Sequence, residues 1–175
     1  MTELKNEAKR KKLRIPKYLI RFLIKIAVVV LAVFLTTQYV FGVFVNRGND
    51  MFPSVKDGDL IITYKLEDVY VNEAVAYKYD GDTYFGRIVG REGDVIGISD
   101  IGELTVNGTR PSEQVFYATY PADISEIRYP YTVPEGCVFI LCDFRTTGID
   151  SRLFGAVNKK DLLGKMIFVL RRRGI

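Results

Sequence analysis

Ala74-Val75-Ala76-Tyr77-Lys78-Tyr79-Asp80-Gly81-Asp82-Thr83-Tyr84-Phe85-Gly86-Arg87-Ile88-Val89 decides the fold class. Two runs rich in valine, isoleucine and aromatic residues flank Asp80-Gly81, a pair that tolerates the positive φ angles of a two-residue hairpin turn. Reading outward, similar composition marks strand candidates at 60–66, 71–79, 83–89, 95–98, 104–106, 137–141 and 165–170. Asn107-Gly108 gives a second hairpin signal after Leu104-Thr105-Val106. With Thr109 it also has the form of a glycosylation acceptor, although the turn alone explains it. The segment 110–134, punctuated by Pro111, Pro121, Pro130 and Pro134, reads as a long surface excursion. No amphipathic helix of useful length follows residue 45, so 46–175 is expected to be a mainly β domain with its own core.

The chain has 175 residues, 48% of them apolar, and a formal charge of +4 that is unevenly spread. Residues 1–25 hold nine Lys or Arg against Glu3 and Glu7, a balance of +7 that leaves −3 on everything after them. The basic character therefore belongs to a tail, and the domain offers no nucleic-acid surface. Next come twenty residues without charge, 26–45, which as a helix would measure about 30 Å, one hydrocarbon core. A cleaved secretory signal has a shorter apolar region of about 7–15 residues ending in small side chains, and Val43-Phe44-Val45-Asn46 does not fit it. The expected organisation is a basic cytoplasmic tail at 1–25, a single-pass anchor at 26–45 and an extracellular domain at 46–175.

Cys137 and Cys142 are five apart in an extended-looking apolar run, about 16 Å between Cα atoms and beyond the reach of a disulfide. Two thiols without histidine make a poor metal site, and no cofactor or metal is implied.

Three short boxes carry the functional signal. The first is Gly48-Asn49-Asp50-Met51-Phe52-Pro53-Ser54-Val55-Lys56-Asp57-Gly58-Asp59, the second Gly86-Arg87-Ile88-Val89-Gly90-Arg91-Glu92-Gly93-Asp94. The third runs from Cys142-Asp143-Phe144-Arg145 through Gly148-Ile149-Asp150-Ser151-Arg152 to Gly155. Together they resemble the boxes of type I signal peptidases: G-x-S-M-x-P-[ST]-[LV]-x-x-G-D, K-R-V-[IV]-G-x-x-G-D and G-D-N-R-x-x-S-x-D-S-R-x-x-G. The resemblance implies a coiled antiparallel β-sheet domain behind one membrane helix, without the extra domain of larger members. It also implies a structural box of Asp143, Arg145, Asp150, Ser151 and Arg152.

The departures fall on the chemistry. Asp50 stands at the serine nucleophile's position, Gly86 at that of the lysine base, and Gly148 at that of a serine that contacts the lysine. A serine–lysine pair needs an amine whose pKa falls well below its usual ~10.4. Gly86 offers no amine, and the chain contains no histidine to replace it. Ser54 and Lys56, two apart and about 6.6 Å along an extended chain, make a poor substitute. A carboxylate pair of Asp50 with Asp59, Asp143 or Asp150 would be an aspartic-protease-like escape. Asp143 and Asp150 also read as partners of Arg145 and Arg152, and Asp59 as a turn carboxylate.

These changes give the expectation of a pseudoenzyme, with no catalytic residue at the degenerate positions Asp50, Gly86 and Gly148. Met51, Pro53, Val55, Tyr84 and Phe85 match the walls of a groove that takes an extended peptide. Asp50 would favour a basic group on that peptide, and Gly86 would leave open the space of a lysine stem; the alternatives are that Asp50 is only a solvated carboxylate beside Asn49 and Gly86 only a permissive strand position. Inactive family members of this short, anchored kind occur in Gram-positive bacteria and assist sortase-built pilus assembly. The resemblance therefore implies a chaperone-like factor with a secreted or pilin precursor, or the sortase, as partner. The alternative is an active signal peptidase working by non-standard chemistry.

Overall fold

The structure is a computed structural model that describes residues 16–171 except Gln114, Phe116, Glu126 and Thr147. Residues 1–15 of the basic tail lie outside the described residues. The first element is helix α1 (Lys17–Tyr39), whose opening amides, those of Leu19 and Ile20, donate to the carbonyl of Pro16. Its 23 residues span about 34 Å, and length and composition suffice to cross a bilayer. Lys17, Arg21 and Lys25 recur every four residues and form one stripe, from which long side chains can carry their charge along the helix towards water.

The apolar span expected at 26–45 is divided by the structure. Its end is strand β1 (Phe41–Val45), paired with β2 (Leu60–Tyr64) in a register that sets Val43 opposite Ile62 and Val45 opposite Leu60. Hydropathy alone merges the two, because β1 is as free of charge as residues 26–39 of the helix before it; its aromatic and β-branched side chains nevertheless favour a pleated strand. By contacts the chain accordingly divides into Met1–Thr36 and Thr37–Ile175.

The rest is antiparallel sheet. Strands β3 (Ala74–Tyr79), β4 (Asp82–Arg91), β5 (Val95–Ile98), β6 (Leu104–Val106), β7 (Tyr131–Thr132) and β8 (Cys137–Leu141) precede a single helical turn, α2 (Ser151–Phe154). Strands β9 (Val157–Asn158) and β10 (Leu162–Leu170) complete the order. The larger sheet runs β1-β2-β10-β3-β4-β8-β9 and the smaller β6-β5-β7. Asp80 and Gly81 close the β3–β4 hairpin at φ 47° and 90°, as the turn chemistry requires. Asn107, at φ 52°, receives Val95 N on its side-chain oxygen and donates to Asp94, so its amide serves the fold rather than a glycan.

Period-two alternation distributes the core. Val138 and Ile140 of β8 join Val75, Tyr77 and Ile88, whereas Phe139 and Leu141 face the other way against Val89, Ile96 and Leu104. A third cluster, Met51, Val55, Ile61, Ala76, Phe85 and Cys142, lies beneath the first and third boxes. On the outer face of β1, β2 and β10 the rows Val43–Ile62–Phe168 and Val45–Leu60–Leu170 form an apolar strip that is largely exposed at β1 and β10.

Strand β10 begins three residues before the expected 165 because a register shift at Leu162/Gly164 lets it reach β3. Gly164 sits there at φ 119°, and a Cβ would run into the Tyr64 carbonyl at 2.5 Å. Gly164→Ala is expected to cost about 1–3 kcal/mol, read as a lower denaturation midpoint; an unchanged midpoint would contradict this account of the bulge.

Candidate functional site

The first box folds as a tight loop between β1 and β2. Asn46 is its hub: its amide donates to Gly48 O and Lys56 O, both at 2.9 Å, and its backbone pairs with Asp59 and Gly58. Asp57 accepts from Gly48 N and Asp59 from Lys56 N, so Asp59 is the turn carboxylate its place after Gly58 suggests. Within this frame Phe52 N reaches Asn49 O and Val55 N reaches Met51 O, a helical turn that presents Asp50. The Asp50 carbonyl in turn accepts from Phe144 N at 2.8 Å and ties the first box to the third.

The third box is a network of buried charge. Asp150 caps α2 and accepts from Arg152 N, Nε and Nη2 and from Cys142 N and Sγ, all within 3.0 Å. Arg152 donates onward to Arg145 O and Tyr120 O. Arg145, fully buried, donates to Cys142 O, Thr119 Oγ1 and Glu113 Oε2, fastening the 110–134 excursion to the box. Ser151 Oγ receives Ile140 N. The partner of Asp143 is Arg87 of β4, which grips both its oxygens, so Arg145 and Asp143 are not the pair expected from their neighbourhood in sequence. Ser54 donates to that carboxylate at 2.6 Å, while Lys56 lies over the Phe52 ring, so Ser54 and Lys56 do not act together.

Asp50 is half-buried on a cavity of about 210 Å³ with Arg47, Met51, Asp82, Tyr84 and Phe85. Burial raises its carboxyl above the ordinary aspartate value, and the negative charge of Asp150 adds to the rise. Asp59, Asp143 and Asp150 are each committed elsewhere, to a turn, to Arg87 and to Arg152, so none of the three pairs with Asp50, which shares its cavity with the carboxylate of Asp82. Of the expected groove residues, Met51, Tyr84 and Phe85 line this cavity, although Met51 is fully and Phe85 almost fully covered. Pro53 is exposed, whereas Val55 is buried in the core and presents no surface to a peptide.

Gly86 does not leave open the space of a lysine stem, and that expectation is corrected here. It lies buried in β4, where an added Cβ would meet the Ile140 Cγ2 methyl and approach Leu141 O at 3.2 Å and Tyr77 at 3.4 Å. At Gly148 a Cβ would collide with Cys142 Sγ. Cys142 stands where the family motif has glycine, and Gly148 where it has serine, so bulk has moved from one position to the other. Cys142 and Tyr77 were missed in the sequence; the exchange of glycine between 142 and 148 within one motif was the available signal for the first. Burial and then Asp150 push both the Cys142 thiol and the Tyr77 phenol upward, so neither supplies a nucleophile at neutral pH.

Gly148→Ser is expected to cost about 1–3 kcal/mol by overpacking, and Cys142→Gly in the same chain to recover part of it. A denaturant-melt cycle showing simple additivity would contradict the exchange. For Asp50, a raised native pKa means that the folded state holds its proton more tightly than the unfolded one. Stability therefore falls as pH rises from the ordinary aspartate range through the native value. Asp50→Asn removes that penalty and should raise the melting temperature at neutral pH, with the gain vanishing in acid. A gain that persists unchanged in acid would count against the shift.

Comparison with known proteins places this geometry. The family described as "Signal peptidase, peptidase S26" matches residues 19–171. A signal peptidase I of Bacillus caldolyticus is 32% identical, over 74% of this chain and 79% of its own. Signal peptidase IB of Staphylococcus aureus (strain N315) is 26% identical over 87% and 89%. A signal peptidase I structure from Enterococcus faecalis is 25% identical, with a TM-score of 0.48, over 58% of this chain and 98% of that one. The named relatives overturn the expectation that the chain is no enzyme: they are signal peptidases, and nothing in the likeness marks a loss of activity. Asp50 and Gly86 remove the serine–lysine route, which is one route to amide hydrolysis among several. With most of its length matched, from the membrane-length helix to the last strand, the chain belongs to the signal peptidase family, peptidase S26.

Proposed function

We propose that the chain is a membrane-anchored peptidase of exported proteins in which the Asp50 carboxylate, rather than a serine–lysine pair, carries the proton. The carrying observation is the position of Asp50: at the head of the first box, tied by its carbonyl to the third, and with a carboxyl made more basic by burial and Asp150. In this reading the ionised carboxylate takes a proton from water as the water oxygen bonds to the peptide carbonyl carbon. The resulting carboxylic acid then returns the proton to the departing amine as the C–N bond breaks. The raised pKa suits both halves of that cycle, because a better base for the first step remains a competent acid for the second. The exported segment lies extended against Tyr84 at the cavity wall, with the covered side chains of Met51 and Phe85 behind it.

The proposed topology is a cytoplasmic N-terminus and an external domain, supported by the basic residues ahead of the apolar span. The exposed strip on β1, β2 and β10 supports a domain that works close to lipid, as chain continuity with α1 would have it. A second reading gives the same groove a secreted or pilin precursor, or the sortase, and a chaperone-like part in pilus assembly. It is favoured by the missing amine at Gly86 and by Ser54 being held on Asp143.

Full-length protein in nanodiscs should cleave a signal-peptide substrate carrying small residues before the cut. Asp50→Ala should lower kcat/KM by about a hundredfold or more, and the rate should fall as pH drops through the Asp50 pKa. Turnover unaffected by Asp50→Ala would reject the mechanism. Capture of a pilin precursor or sortase without any turnover would favour the second reading.

A further inference from the structure

A second cavity is lined by residues of the third box and shares no lining residue with the Asp50 cavity. It measures about 740 Å³, within the range of ligand pockets, and is bounded by the excursion at Tyr120–Ile124, the loop at Gly148–Ile149 and Leu153 of α2. Two guanidiniums, of Arg145 and Arg152, form part of its lining. An anion would be the first ligand to consider there, but both cations are spent. Arg145 is paired with Glu113 and also bonded to Thr119 and Cys142 O; Arg152 is paired with Asp150 and also bonded to Tyr120 O and Arg145 O.

What the cavity offers instead is negative charge above apolar surface. Asp100 and Asp123 stand among its lining residues and take part in no ion pair among the described residues. Among the same lining residues the apolar side chains are unusually open: Ile124 is 85% exposed, Tyr120 49% and Ile149 41%. Singly exposed apolar residues need no explanation, but three converging on one cavity mark a contact surface.

We propose that this cavity binds a peptide segment in which an aliphatic side chain neighbours a lysine or arginine, the aliphatic group on Ile124, Ile149 and Leu153 and the cation on Asp100 and Asp123. The complementarity of charge commits the occupant: an acidic peptide would meet two uncompensated carboxylates, and a wholly polar one would leave the isoleucines wet. The proposal rests on the reading that the chain handles exported segments, and it names which segments the Gly148 side of the site selects. The cavity borders Gly148 and Ile149, and the Ile149 carbonyl accepts from Tyr77 of β3 at 3.4 Å, so an occupant here contacts a loop bonded to the main sheet.

The test uses full-length protein in nanodiscs and fluorescein-labelled peptides containing Leu-Lys-Leu, Leu-Glu-Leu or Ser-Lys-Ser, followed by anisotropy. The Leu-Lys-Leu peptide should bind about fivefold to tenfold tighter than the Leu-Glu-Leu peptide, the value of two exposed ion pairs. It should also bind tighter than the Ser-Lys-Ser peptide. The doubly substituted Asp100→Asn, Asp123→Asn protein should bind the lysine and glutamate peptides alike, and Ile124→Ser, at an exposed position where folding is not at stake, should weaken both leucine peptides. The same series in Asp50→Asn protein should keep the lysine preference; its loss would move recognition to the Asp50 cavity and overturn the proposal. Equal binding of all three peptides, or a preference unmoved by the Asp100 and Asp123 changes, would overturn it as well. Peptides that bind with this selectivity yet are not cut would count against the peptidase mechanism alone.

Discussion

The geometry of the site depends on one buried carboxylate. Asp150 has no contact with solvent and collects donors from Arg152, the Cys142 amide and the Cys142 thiol. A buried anion of this kind is tolerable only when hydrogen-bonded and paired, and removal of either partner leaves a charge that costs about 3–5 kcal/mol. That requirement fixes the end of β8 against the start of α2 and holds Arg152 on the carbonyls of Arg145 and Tyr120. Arg145 then anchors the excursion through Glu113 and Thr119. Burial raises the pKa of Asp50, Tyr77 and Cys142, and the same negative charge adds to the rise in all three.

Around this fixed point, the site has been rebuilt rather than emptied. A residue lost from a packed interior leaves either a cavity or a neighbour that fills it. Here neighbours fill it. Ile140 and Tyr77 close over Gly86, and the Cys142 thiol sits in the volume a side chain at 148 would need. A lysine at 86 or a serine at 148 therefore has no room in this interior, and the proposed chemistry draws on a group that the rebuilding kept accessible. Asp50 is such a group: half-buried, bordering a cavity and joined by its backbone to the third box.

Much of this was legible in the sequence. Asp80-Gly81 located its hairpin because positive φ leaves few residue types to choose from, whereas Asn107-Gly108 located a tight turn closed only by the Val106–Thr109 bridge, and the β5–β6 hairpin turns instead at residues 99–103. Strands 95–98, 104–106 and 137–141 appear with those bounds, since each is short and opens directly after a charged residue or glycine, Asp94, Glu103 and Gly136. Phe41–Val45 was hidden because an apolar strand that directly follows an apolar helix gives hydropathy no boundary. Strands β7 and β9, two residues each, carry no periodic signal at all. The boxes identified the residues of the site, yet not their pairing: Arg87 reaches Asp143 across the sheet, a contact set by the β4–β8 register that puts Arg87 opposite Leu141. Nor does spacing reveal occupied volume, which is why Gly86 read as open space. The absence of a serine–lysine pair was legible too, but it described one mechanism, whereas the family membership bears on activity as a whole.

The most direct measurement is a carbon-13 NMR titration of the Asp50 carboxyl carbon in the full-length protein. The account requires its midpoint to lie clearly above the ordinary aspartate value of 3.8, held there by burial and by Asp150. A midpoint at or below that value would show a fully solvated or cation-paired carboxylate, and a base of ordinary strength, in contradiction to the site described here.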